Sequence, residues 1–153
     1  MPATGNGSAV LREIAVRLRS AGERIPVDFT RAIREGADPL RQAATAAALD
    51  KLPKTGGLNE YVARQRITIS VRTGARTAGV RLFTRDPATR QTDRGWVRHP
   101  RFGHRGPGDW YSESIPQAAG WWTDTLRERS PQVTPFIVAE MRRMLAYIQG
   151  RGY

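Results

Sequence analysis

His99 and His104 lie five residues apart, with Asp109 and Glu113 a little further along. Imidazole and carboxylate are common ligands of divalent cations, so this quartet is the one place where metal-assisted hydrolysis could be built. The frame argues against it. Pro100 and Gly103 forbid a helix between the two histidines, so they do not stack on one helical face. No further strong ligand completes a recognisable spacing. Hydrogen bonds that pin a loop, or contacts to a partner, account for both histidines better. Among the other carboxylates, Glu60, Asp86, Asp93 and Asp124 are scattered in turns or beside arginine, which is the pattern of surface ion pairs and not of an acid/base dyad. Ser112 and Ser114 lack the glycine elbow of a hydrolase nucleophile. Gly103, Gly106 and Gly108 neither follow a strand nor open a helix, so they do not form a phosphate cradle. There are no cysteines, which removes disulfides, thiolate nucleophiles and cysteine-based metal sites. The expectation is a protein without enzymatic activity, cofactor or metal.

Charge points to partners instead. The 153-residue chain carries a formal net charge of +11, and Lys51 and Lys54 are its only lysines. A domain this basic usually meets a polyanion or an acidic protein face. Arginine suits both, because its planar fork matches phosphate and carboxylate. A genome rich in G and C explains the arginine-to-lysine ratio equally well, but not the net charge. The arginines are spread along every segment, with no helix-turn-helix, zinc-finger or RNA-recognition signature. Sequence-specific binding is therefore disfavoured, whereas a non-specific electrostatic relation to DNA, such as lining a channel, fits.

All four tryptophans fall in the run from Gly95 to Trp122, which over most of its length follows neither a helix nor a strand period. Large side chains on a Gly/Pro-punctuated segment imply packing against the core or a partner. Trp121 and Trp122 are expected in the core under the closing helix, and the stretch from Trp96 to Trp110 at a subunit contact.

These residues must be positioned by the flanking elements. Residues 1–7 look like a loose tail, small and polar and unlike a secretory leader. No apolar run is long enough to span a bilayer. Ser8 is placed to cap a first helix with Leu11, Ile14, Ala15 and Leu18 on one face. From Phe29 through Ile33, Ala37, Leu40, Ala44 and Ala47 a period near 3.6 predicts one long helix, kinked at Pro39. A loop at Leu52–Gly57 follows. Ile67, Ile69, Val71, Val80 and Leu82 alternate as the inward face of a β-hairpin, with Thr68, Ser70, Arg72 and Arg81 outward. The polar stretch 85–94 is expected to be an exposed loop. A short strand at 96–98, a short helix within 116–127 and a last helix opening at Pro131 or Pro135 complete the chain. That last helix carries Ile137, Met141, Met144, Leu145 and Ile148 as its stripe. The class is α+β: a small antiparallel sheet with a β-hairpin, packed by a long N-terminal helix and a C-terminal helix, with 8–153 as one domain.

The order of motifs carries a resemblance. A long helix containing G-A-D-P-L-R-Q-A leads into Thr55-Gly56-Gly57-Leu58. After the hairpin comes His99-Pro100-Arg101-Phe102-Gly103, and G-W-W precedes the closing helix. The chain resembles the small head–tail joining proteins of long-tailed bacteriophages, the neck or tail-completion family, over Ile25–Ile148. Members of that family are often marked by a T-G-x-L turn and an H-P-x-F/W-G stretch at these places. The resemblance implies a structural virion protein, assembled in the host cytoplasm. It implies a ring of six copies between the portal-side connector or stopper and the tail tube, with DNA passing through the lumen. Tail terminator, tail completion protein and head–tail stopper are neighbouring slots with related folds, and the motifs do not choose between them. In such a ring, Trp96, His99, Arg101, Phe102, His104, Trp110 and Tyr111 are the candidates for subunit contact. Arg72, Arg76, Arg81, Arg85 and Arg90 are the candidates for the lumen or an acidic neighbour. The competing reading is a basic, non-specific nucleic-acid-binding protein.

Overall fold

The computed structural model describes residues 9, 12–17, 20, 27–73, 78–100 and 110–150. The fold is α+β, mostly helical, with two separate two-stranded antiparallel sheets. Elements follow in the order α1 (helical at 12–17), α2 (Val27–Lys51), a 3-10 turn (Thr55–Gly57), α3 (Leu58–Ala63), β1 (Thr68–Thr73) and β2 (Ala78–Phe83). Then come α4 (Pro87–Asp93), β3 (Trp96–Pro100), β4 (Trp110–Ser114), a second 3-10 turn (Pro116–Ala118) and α5 (Trp121–Gly150). The chain divides into two compact units. One comprises residues up to Arg41, Thr68–Phe83, and Arg129 onward; the other comprises Gln42–Ile67 and Thr84–Glu128.

In the first unit the expected helical stripe is present. Phe29, Ile33, Ala37 and Leu40 of α2 are buried, as are Ile14 and Ala15 of α1. Pro39 lies on the exposed side of α2, so the helix continues through it. The backbone carbonyl orphaned by proline is tolerable where water can reach it. Val133, Ile137, Met141 and Met144 form the buried stripe of α5. Gly36 allows a close contact: a Cβ there would stand 2.2 Å from the Phe136 ring and push it aside, so the aromatic rests on bare helix backbone. In β1–β2 the register Ile69↔Leu82 and Val71↔Val80 gives one apolar face, and Ser70↔Arg81 places Arg81 and Arg72 together on the other. The alternation of the sequence is that of the strands, and the apolar face is half-buried at Ile69, Val71, Val80 and Leu82.

The second unit has its own core of Ala47, Ala48, Leu52, Val62, Val97, Ile115, Ala118 and Trp121, with Leu58, Ala63, Ala88 and Trp122 packed against it. The T-G-G-L motif is a 3-10 turn with Gly56 and Gly57 at positive φ, leading directly into α3. The Asn59 amide donates to the Leu49 carbonyl at 3.3 Å, fastening this turn to the end of α2.

Two expectations need correction. Residues 85–94 are not a loop, because Pro87–Asp93 is helical. Asp86 caps this helix, accepting from the Ala88 amide at 2.7 Å, and Pro87 occupies the first turn. The helix escaped notice because its buried side chains are Thr89 and Thr92, which carry no apolar period. Secondly, the helix expected within 116–127 and the closing helix are one: α5 runs from Trp121 through Pro131 and Pro135. Both prolines face outward, four residues apart, on the side where missing backbone bonds are solvated. The strand expected at 96–98 is present as β3. It extends to Pro100 and pairs with 110–114, a strand unrecognised in the sequence, because the nearest complementary backbone follows it in the chain.

Candidate functional site

The aromatic run becomes a second hairpin with a fixed base. Thr92 is fully buried and directs its hydroxyl to the Ala88 carbonyl at 2.8 Å. The same oxygen accepts from the Trp121 indole N–H at 2.9 Å, so the buried ring has its polar partner. Asp93 then caps α5. Its Oδ1 accepts from the Trp122 and Thr123 amides at 2.8 and 3.0 Å, and its Oδ2 accepts from the Thr123 hydroxyl. A carboxylate at the start of a long helix satisfies orphan N–H groups and meets the positive end of the helix dipole. The Asp93 carbonyl accepts from the Gly120 amide at 2.7 Å. Gly120 sits at φ +79°, and a Cβ there would stand 2.3 Å from an Asp124 oxygen, so only glycine makes this turn. On the other side, the Ile115 amide donates to the Gly95 carbonyl at 2.7 Å. Both ends of the hairpin are thus tied to the core.

Beyond this base the hairpin leaves the core. The register pairs Trp96↔Ser114, Val97↔Glu113, Arg98↔Ser112, His99↔Tyr111 and Pro100↔Trp110. Val97 is buried, Trp96 and His99 are half-buried, and every side chain of β4 is exposed. Trp110 and Tyr111 stand 46% and 47% exposed. His99 stacks at a tilt on Tyr111 with centroids 4.1 Å apart, and its Nε2 lies 2.9 Å from Glu113 Oε2. Side chains opposite and diagonal across a strand pair make such contacts. They hold His99 and Tyr111 in place on the surface. β4 pairs on one side only among the described residues, and the outer edge of such a strand can take up a further strand.

Of the residues expected at a subunit contact, Trp96, His99, Trp110 and Tyr111 lie on one hairpin, Trp96 and Trp110 on one face and His99 and Tyr111 on the other. Arg101, Phe102 and His104 lie outside the described residues, as do Asp109 and Arg76. No group of three or more His, Cys, Asp or Glu side chains gathers among the described residues. No described helix is long and apolar enough to cross a membrane. Trp121 is core, as expected, and Trp122 is half-buried against it; they open the closing helix themselves instead of lying beneath it.

The candidate lumen arginines separate. Arg72 and Arg81 share one face of β1–β2, whereas Arg85 and Arg90 belong to the second unit. The sequence held a sharper signal than the even spread of arginine. No carboxylate occurs between Glu60 and Asp86, a stretch with six arginines. Across 61–108, eleven arginines meet only Asp86 and Asp93, so this window holds +9 of the net +11. Counting the missing acids, not the arginines, locates the charge. On the long helices four arginines are neutralised locally: Arg31 pairs with Asp28, Arg41 with Asp38, Arg127 with Asp124 and Arg143 with Glu140, one turn apart. Hydrogen bonding to Asp38 also raises the Arg41 pKa.

No family model, curated protein or solved structure matches the chain.

Proposed function

We propose that this protein is a structural ring component of a bacteriophage neck. It would complete or terminate the tail and join it to the head connector, with DNA passing through the lumen. The observation that carries the reading is β4, a fully exposed strand bearing Trp110 and Tyr111 on a hairpin whose base is locked into the core. Exposed aromatics on a rigid support are the anchors of protein interfaces, and an open strand edge is a template for a neighbouring chain. The motif order adds to this. T-G-G-L forms the turn after the long helix, His99-Pro100 ends β3, and G-W-W opens α5. The ring would be of six copies, set between the portal-side connector or stopper and the tail tube.

The test is mass and location. Sedimentation of the purified chain, alone and with its connector and tail-tube neighbours, should reveal a closed oligomer. Mass spectrometry of purified virions should find the chain at ring stoichiometry. Its absence from virions would end this reading.

A further inference from the structure

The charge of the β1–β2 hairpin is unopposed within the hairpin. Its segment Thr68–Phe83 contains no carboxylate, and its register sets Arg72 opposite Gly79 and Arg81 opposite Ser70. The two arginines are thus diagonal neighbours on one face, about 7–8 Å apart at their backbone positions. Both are exposed, and neither forms an ion pair with a described residue. Small partners opposite each leave room for the guanidinium groups to reach outward. Arg81 is steadied from one side, with its guanidinium carbon 5.3 Å from the Phe83 ring centroid. Ser70 and Thr68 add hydroxyl donors to the same face.

We propose that this ribbon binds the phosphate backbone of double-stranded DNA without reading its sequence. Two diagonal forks flanked by hydroxyls suit a line of anions, and hydroxyls and arginine are the groups that contact phosphate oxygens. A two-stranded ribbon is also slim enough to lie along a duplex groove. The ribbon would supply the neck ring with its DNA-facing element, but the assignment stands on the hairpin's own charge and geometry.

The test uses the full chain and a labelled duplex of arbitrary sequence, with affinity followed by anisotropy across a salt series. Wild type is compared with Arg72→Gln/Arg81→Gln and with a control of equal charge loss, Arg34→Gln/Arg142→Gln, on exposed helix positions. The hairpin variant should flatten the slope of log affinity against log salt by about 1.8, at about 0.9 per lost phosphate contact. The control should keep the wild-type slope. Arg72→Lys/Arg81→Lys retains the charges and should restore most of the slope, which guards against misfolding of the first variant. Equal flattening in the control, or no binding at low salt, would overturn the assignment. So would displacement of the duplex by polyglutamate at matched charge, which would mark the face as one for acidic protein. Sedimentation of the same samples separates the two readings: oligomers that ignore DNA remove the ribbon assignment and leave the ring.

Discussion

The two hairpins of this protein share a plan and differ in everything that matters for partners. Each is a pair of antiparallel strands joined in sequence. β1–β2 places alternate apolar side chains on one face and arginine on the other, with Ile69, Val71, Val80 and Leu82 only half-buried. β3–β4 sends Val97 into a core, ties its ends to Asp93, Gly95 and Ile115, and displays Trp110 and Tyr111. One hairpin is suited to a diffuse charged surface, where geometry is forgiving. The other is suited to a specific protein contact, where an anchor must be held still.

The comparison can be broken first at the base of β3–β4. Trp121→Ala should cost about 3–5 kcal/mol in urea unfolding, because it empties a buried site and removes the indole donor from the Thr92 hydroxyl, which keeps its bond to the Ala88 carbonyl. A cost near zero would mean the hairpin is not rooted as described. Asp93→Ala should cost about 1–2 kcal/mol through loss of the α5 cap, with Asp93→Asn recovering part of it.

Tyr61 and Asp86 give a smaller test. The Tyr61 hydroxyl donates to Asp86 at 2.7 Å, and this bond raises the phenol pKa above its usual value. Tyr61→Phe should cost about 0.5–1.5 kcal/mol at neutral pH. The folded pKa is the higher one, so this contribution is complete below about pH 10 and fades as pH rises through the folded value. The difference between the two proteins should therefore be flat from neutral pH upward and shrink only in strong alkali.

The smallest effect on the fold is expected at the exposed strand. Trp110→Ala should change monomer stability by no more than about 0.5 kcal/mol while preventing oligomer formation. A large loss of stability, or assembly that proceeds unchanged, would take the interface away from β4.

Much of this contrast was legible in the sequence where periodicity is local. The stripes of α2 and α5 and the alternation of β1–β2 follow from spacing alone, because a buried face repeats every 3.6 or 2 residues. Helix α4 was missed because threonines with satisfied hydroxyls fill its buried face. The true start of α5 was missed because two outward prolines imitate a helix opening. The strand 110–114 carries no alternation, since all of its side chains are exposed.

The amino-acid order by itself determined the element types over the long helices, the arginine face of the first hairpin, the absence of cysteine chemistry and the stretch without carboxylates. The sequence divided the tryptophans between core and surface, and only the tertiary structure decided what holds Trp121 and Trp122 in place. That hold depends on contacts between residues about thirty positions apart, such as Thr92 with Trp121 and Asp93 with Trp122 and Thr123. A side chain's type records how much surface it can bury. Whether it buries that surface depends on what the rest of the chain brings to meet it.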